Sequence, residues 1–273
     1  MNRVRFFLYA AAIALCAAPV VADDNAIIVQ STTSTQNSGL YDFLLPKIKE
    51  ATGVTAHIVA VGTGQAIKNA RNCDGDVLLV HAKKAEEDFV ASGFGVKRHD
   101  LMFNQFVIIG PSDDPAQIVD APSAKDALKK IAVAKAPFAS RGDNSGTHKR
   151  EEVLWNAARY DPEPFSGTWY RETGSGMGAT LNIAVGMNAY TLSDEATWIS
   201  FKNKRDFQIL VSGDDALFNQ YGIILVNQQK CPNANSGEAK KVVDWMLSAD
   251  GQAAINAFRV DDKQLFTANA KLN

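Results

Sequence analysis

Short runs of β-branched and aliphatic residues alternate with helix-period segments along almost the whole chain, and that alternation is the mark of an α/β fold with largely parallel sheets. A strand over Ala26 to Val29 precedes a helix from about Gly39 to Ala51, whose apolar face is Leu40, Phe43, Leu44 and Ile48; Pro46 inside it predicts a kink or a later start. Val54 to Val61 and Asp76 to Val80 read as strands, Gln65 to Arg71 and Ala82 to Ala91 as helices. Phe106 to Ile109, closed by Gly110 and Pro111, is the next strand, and Ser123 to Val133 returns to helix. Beyond it come strands near Pro137 to Ser140, Trp169 to Arg171, Tyr190 to Leu192, Phe207 to Val211 and Tyr221 to Val226. The helices among and after them are Thr147 to Ala158, Met177 to Val185, Asp194 to Phe201, Gly237 to Leu247 and Gln252 to Phe258. No internal repeat or low-complexity tract interrupts the pattern, which removes solenoids and propellers.

A chain of 273 residues, 46% apolar and 21% charged, has an ordinary globular balance. Its length lies where one core usually stops growing, so one large domain or two lobes of roughly 100–150 residues each are both open, and the order of strands and helices is read as two lobes. Residues 23–104 form the first part of lobe I, 105–220 form lobe II, and 221–273 return to lobe I, so the chain crosses between lobes twice. The first 22 residues stand apart as a secretory signal peptide: Arg3 and Arg5 open it, Phe6 to Ala18 is almost wholly apolar, and Val20-Val21-Ala22 supplies small residues before Asp23. That apolar stretch is shorter than the roughly 20 residues of a membrane span. Leu15 ahead of Cys16 is a poor fit to a lipidation site, so a free periplasmic protein is expected.

Cleavage would leave 26 basic against 30 acidic residues, a formal charge of −4. With no Lys/Arg block, such a surface suits neither nucleic acid nor an anionic membrane. An anion bound here must therefore be held by local groups. Cys73 and Cys231 would remain, and an oxidising compartment permits either a single bridge or two buried thiols.

Four clusters of hydroxyl and glycine residues sit between a strand and the helix that follows. They are Ser31-Thr32-Thr33-Ser34-Thr35, Gly62-Thr63-Gly64, Ser140-Arg141-Gly142-Asp143-Asn144-Ser145-Gly146-Thr147 and Thr173-Gly174-Ser175-Gly176-Met177-Gly178. In an open α/β sheet ligands bind beyond the carboxyl ends of strands, where helix starts present N–H groups and roughly half a positive charge. Any one cluster is explained by capping and turns alone. Four, two from each lobe, suit an oxyanion in the cleft between them. Arg141 is the one fixed cation among them, able to give two parallel hydrogen bonds, with Asp143 either its partner or a ligand contact.

The same residues resemble the periplasmic tungstate-binding proteins of tungstate ABC transporters along nearly all of the mature chain. The likeness is carried by Thr32-Thr33-Ser34-Thr35 leading to Ser38-Gly39-Leu40, Val61-Gly62-Thr63-Gly64-Gln65-Ala66, Asp76-Val77-Leu78-Leu79-Val80-His81-Ala82, Ser140-Arg141-Gly142-Asp143 with Ser145-Gly146-Thr147-His148, Thr173 to Gly178, and Leu192-Ser193-Asp194-Glu195-Ala196-Thr197-Trp198. It implies a two-lobed periplasmic-binding-protein fold of class II, each lobe a mainly parallel sheet flanked by helices, with two crossover strands as hinge. It also implies an oxyanion held by Thr33, Ser34 and Thr63 from lobe I and by Arg141, Ser145, Gly146, Thr147, Ser175, Gly176 and Met177 from lobe II. Thr32, Asp143 and Asp194 would support them. The implied partners are tungstate or molybdate and an ABC permease with its cytoplasmic ATPase. No cofactor, no nucleic acid and a monomer are expected. Tungstate and molybdate are tetrahedral dianions of nearly one size, so the preference for tungstate comes from the resemblance alone.

Phosphate is the chief rival, since phosphate-binding proteins also place an Arg shortly before Ser-Gly-Thr. Hydrogen phosphate carries a proton and favours a carboxylate acceptor, whereas tungstate is a bare dianion that such a group would repel. A hydrolase is the remote alternative: Gly174-Ser175-Gly176-Met177-Gly178 has its serine one place too early for a nucleophile elbow, and Ala179 breaks a dinucleotide fingerprint. His57, His81, His99 and His148 are scattered and no Cys-x-x-Cys occurs, so a zinc site is not expected. Trp155, Trp169, Trp198 and Trp245 read as packing residues.

Overall fold

The computed structural model describes residues 25–271; the expected signal peptide, with Cys16, lies outside the described residues. The chain opens with β1 (Ala26–Thr32), α1 (Thr33–Asn37), α2 (Leu40–Thr52), β2 (Thr55–Val61), α3 (Thr63–Arg71), β3 (Val77–Val80) and α4 (Lys83–Ala91). The long β4 (Gly95–Pro111) leads to α5 (Ala124–Ala134), β5 (Phe138–Ser140), α6 (Gly146–Ala157), β6 (Tyr170–Glu172), α7 (Met177–Met187), β7 (Thr191–Asp194), α8 (Glu195–Ser200) and β8 (Phe207–Val211). β9 (Phe218–Val226), α9 (Ser236–Leu247), α10 (Ala249–Ala257) and the short β10 (Arg259–Val260), β11 (Lys263–Gln264) and β12 (Thr267–Ala268) complete it.

The central sheet is mixed, not mainly parallel. β1 pairs in parallel with β2 and β3, but β9 returns antiparallel to β3, and β4 runs antiparallel to β9, β7, β8 and β12. β5 and β6 form a separate parallel pair. The sequence reading missed antiparallel β4 because its first part, Val96-Lys97-Arg98-His99-Asp100, is polar and partly exposed, and only Phe106 onward is a continuous apolar run. β4 changes partners along its length: Gly95 to Gln105 pairs with β9, and Phe106 to Pro111 pairs with β7 and β8.

Alternation along the strands divides the apolar side chains. Val77 and Leu79 enter a core with Leu40, Leu44, Tyr221, Val242 and Phe266, while Leu78 and Val80 enter another with Ala66, Phe89 and Ile224. Phe106 and Ile108 likewise join Leu128, Ile131, Phe138, Trp155, Trp169 and Tyr190, while Val107 and Ile109 face Met177, Leu181, Trp198 and Phe207. Strands buried on both faces need such unbroken apolar runs. Each fully buried aliphatic or aromatic side chain stabilises the fold by about 1.5–3 kcal/mol. Helix α8 joins both sides, placing Ala196 and Ile199 in the core of β1 and Trp198 with α7.

Helix α2 runs through Pro46, so the expected later start does not occur; Pro46 and Asp42 are both exposed, and the carbonyl left without an N–H partner can be hydrated. Gly53 ends it in a left-handed conformation (φ +73°), its N–H donating to the Lys49 carbonyl at 2.9 Å. Cys73 and Cys231 are disulfide-bonded, with Cα atoms 5.2 Å apart. No helix among the described residues is long and apolar enough to cross a membrane.

Candidate functional site

Every cluster singled out by the sequence lies at a strand-to-helix junction. Thr32 is the N-cap of α1, its Oγ1 accepting from the Thr35 N–H, and Gly62 is the extended N-cap of α3. Ser145 caps α6 through its hydroxyl, Gly176 is the extended N-cap of α7, and Asp194 caps α8 by accepting the Thr197 N–H at 2.9 Å. Thr33, Thr63, Gly146 and Met177 are therefore the first residues of four helices.

Contacts between these junctions draw them together. The Gly146 N–H donates to Thr63 Oγ1 at 3.1 Å, tying α6 to α3. A Cβ on Gly146 would come within 2.7 Å of His81 Cε1 and 3.0 Å of Thr63 Oγ1, so this approach requires glycine. Thr33 Oγ1 lies 3.4 Å from where a Cβ on Gly176 would stand, placing α1 against α7. Thr197 Oγ1 donates to the Ser34 carbonyl at 3.1 Å, and Ser200 Oγ to the Ser38 carbonyl at 3.1 Å, which binds α8 to the first turns of the chain.

Arg141 is 2% exposed, its charge balanced by Asp143, whose Oδ2 accepts from a terminal guanidinium nitrogen at 2.5 Å. Its Nε donates to the Ser175 carbonyl at 3.2 Å, so these two contacts occupy two of its five N–H donors. Asp143 Oδ1 accepts the Ser145 N–H at 3.2 Å, so both carboxylate oxygens are engaged. Of two expected hydroxyl donors one is used locally: Ser175 Oγ donates to the Thr173 carbonyl at 3.0 Å, whereas Ser145 Oγ accepts the His148 N–H and keeps its own proton to give.

Three buried polar atoms here have no hydrogen-bond partner within the protein: Thr33 Oγ1, Thr147 Oγ1 and Asp194 Oδ2. Leaving such a group unsatisfied costs about 1–3 kcal/mol, so the two hydroxyls, which can donate, call for an acceptor such as an oxyanion, whereas Asp194 Oδ2 is itself an acceptor. Burial pushes the Asp194 carboxyl above its ordinary range, against the Thr197 N–H, its hydroxyl and the Arg141 charge, which favour ionisation. Among the described residues no group of three or more His, Cys, Asp or Glu side chains could hold a metal ion.

His81 was not singled out by the sequence, yet it sits inside the site. Its Nε2 is 3.1 Å from Ser34 Oγ, its Nδ1 2.9 Å from Asn219 Oδ1, and its ring stacks on Tyr221 at 4.8 Å. Burial lowers its pKa to about 4; the Asn219 contact opposes this, and the nearby charges of Arg141 and Arg150 add to it. Its signals were its place at the end of the apolar β3 run and in the Asp76 to Ala82 stretch that carries part of the resemblance, but no hydroxyl cluster marks it and no role was assigned to it. A groove of about 710 Å³ reaches the same place from the surface, lined by His81 and Gly146 together with Lys83, Lys84, Lys149 and Arg150.

Comparisons with known proteins agree with this architecture. A model of the PBP superfamily domain matches residues 19–250. The tungstate-binding protein TupA of Peptoclostridium acidaminophilum is 45% identical over 249 residues, covering 90% of this chain and 86% of the relative. Among solved structures, the tungstate-binding protein TupA from Desulfovibrio alaskensis G20 is 46% identical with a TM-score of 0.76, over 90% of this chain and 99% of that one. The tungstate ABC transporter structure from Geobacter sulfurreducens is 45% identical with a TM-score of 0.79, over 86% and 99%. With the helix starts, the mixed curled sheet and these likenesses in hand, the chain belongs to the PBP superfamily and, within it, to the family of the TupA tungstate-binding proteins.

Proposed function

We propose that this protein captures tungstate, with molybdate as a second ligand, among the converging helix starts and delivers it to the permease of an ABC importer whose cytoplasmic ATPase drives uptake. The observation that carries this reading is the set of buried hydroxyls without protein partners, Thr33 Oγ1 and Thr147 Oγ1, on two sides of a junction that also buries Arg141. Hydroxyls, backbone N–H groups and one guanidinium replace the water shell of a doubly charged ion, and no bond is made or broken. Thr33, Ser34 and Thr63 with Arg141, Ser145, Thr147 and the Gly176-Met177 turn form the ligand shell. Thr32, Asp143, Gly146, Ser175 and Asp194 hold it in place, Gly146 by giving its N–H to Thr63 Oγ1.

A bare dianion is favoured over hydrogen phosphate by the likeness to the tungstate-binding TupA proteins. The two oxygens of Asp143 accept from Arg141 and the Ser145 N–H, which supports its reading as the partner of the guanidinium. Residues 23–104 with 221–273, and residues 105–220, act as two lobes that close by bending where β4 changes partners between Gln105 and Phe106 and where β9 begins at Phe218. The basic and apolar pattern of residues 1–22 supports export to the periplasm through a cleaved signal peptide, and the protein works there as a monomer with no cofactor.

Calorimetric titration of the ligand-free protein with tungstate, molybdate, sulfate and phosphate tests the reading. Tight binding of tungstate, with sulfate and phosphate far weaker, is expected. Submicromolar phosphate binding without any tungstate heat would reverse the assignment.

A further inference from the structure

A chain of buried hydrogen bonds runs from both long crossing strands to the candidate oxyanion shell. Asn219 Nδ2, on β9, donates to Asn104 Oδ1 of β4 at 2.7 Å and to Tyr221 Oη at 3.3 Å. Asn219 Oδ1 is then the acceptor toward His81, so the ring carries its proton on Nδ1 and presents a bare Nε2. A hydrogen bond across the 3.1 Å between that nitrogen and Ser34 Oγ then has the serine hydroxyl as its donor, with Thr32 Oγ1, also 3.1 Å from Ser34 Oγ, donating to the serine oxygen. The serine proton is thereby turned away from any ligand, and Ser34 Oγ offers only lone pairs, which a bare dianion would be repelled by.

We propose that His81 is a positioning residue that takes up one proton when a dianion binds, so that its Nε2–H donates to Ser34 Oγ and the Ser34 hydroxyl proton swings to the ligand. This rests on the oxyanion reading above and adds to it the residue that accounts for one of the two negative charges. The proton comes from solvent through the groove that His81 lines; no covalent bond changes, and His81 ends as an imidazolium held between Asn219 and Ser34.

The surroundings fit a ring that is neutral until an anion arrives. Arg141 and Arg150 of α6 place positive charge near it, and Lys83 and Lys84 follow it in the chain at the groove. Phe106 of β4 and Tyr221 of β9 face it with their rings, and Ser34 with Asn219 supplies its polar contacts. The carboxylates of this region are Asp194, which acts on Tyr221 and is itself acted on by Arg141, Asp143 paired with Arg141, Glu86, which accepts the Ala82 N–H, and Asp100 and Glu152 in the groove. Without a ligand, burial first and the cations second hold the proton off; a dianion beside Ser34 shifts the balance toward the imidazolium.

The test is calorimetry of the full protein with tungstate at about pH 6 and about pH 8, each in two buffers of different ionisation enthalpy. Proton uptake approaching one per site is expected at the lower pH. Affinity should weaken as pH rises, by at most about tenfold per unit. In the same samples, ring-nitrogen chemical shifts should show a neutral Nδ1–H tautomer for His81 without ligand and the doubly protonated form with it. H81Q should lose the uptake and the pH dependence while still binding tungstate. Binding with no proton uptake and a flat pH profile overturns the proposal, as does an Nε2–H tautomer in the free protein. Uptake that persists in H81Q overturns it as well and assigns the proton to another group. Absence of any tungstate heat, by contrast, sinks the oxyanion reading itself.

Discussion

Arg141 concentrates the site's electrostatics because it is buried, fixed at Nε by the Ser175 carbonyl and balanced by Asp143. Arg141→Ala should weaken oxyanion binding by about 1.5–3 kcal/mol, the range for hydrogen bonds to charged groups, with calorimetry as the check. Unchanged affinity would remove it from the shell. A second buried charge supports the helix that carries Gly146 and Thr147: Glu151 accepts from Trp155 Nε1 at 3.1 Å and from Tyr170 Oη at 2.8 Å. Burial pushes its pKa up to about 7, against the Tyr170, Ser140 and Trp155 contacts that favour the anion. The folded chain therefore keeps a proton that the unfolded chain has already lost, and the resulting stability is present at low pH and fades as pH rises through about 7. Glu151→Gln, which mimics the protonated form, should raise the melting temperature at about pH 8 by up to about 3 kcal/mol worth of stability and change it little at about pH 4. An equal effect at both pH values would contradict this. Thr33, Thr63, Arg141 and Gly146 stood out as candidates only through four clusters taken together with the resemblance, because hydroxyls and glycine at any single helix start are explained by capping and turns. His81 and Asn219 did not, since their role depends on partners far away in the sequence, at Ser34 and Asn104.

Helix positions followed from apolar periodicity and caps, which are local, and α5, α7 and α9 lie close to where the pattern puts them. Strand direction is set by nonlocal pairing, which explains why β4 and β9 were read as parts of mainly parallel lobes when both run antiparallel to their neighbours. The disulfide is a further nonlocal link: Cys73 follows α3 and Cys231 follows β9, and the bond fixes the end of one to the start of the loop before α9. Cys73→Ser with Cys231→Ser should lower stability by about 2–5 kcal/mol. For a chain of this size each kcal/mol shifts Tm by about 2–4 °C, so a scan of oxidised protein against the variant reads it directly. Oxyanion affinity measured well below the new Tm should be unchanged, because neither cysteine touches the helix starts. A large loss of affinity in a folded variant would show that the bridge also positions α3.

At the scale of the molecule the charge is uneven: the full chain is acidic, at −2, yet Lys83, Lys84, Lys149 and Arg150 line the groove that reaches His81 and Gly146. Asp100 and Glu152 lie in the same groove, so its positive field is moderate and should be felt in association more than in dissociation. K83E with K84E should slow tungstate association and flatten its salt dependence while leaving the dissociation rate near that of the unaltered protein, as stopped-flow fluorescence would show. A matching rise in the dissociation rate would place these lysines in contact with the bound ion. The account depends most on where the ion rests. Crystals grown with tungstate and measured at the tungsten absorption edge should give one strong anomalous peak, enclosed by Thr33, Thr63, Arg141 and Thr147. A peak in the outer groove or at the far ends of the sheet, with those four residues facing away from it, would contradict the account.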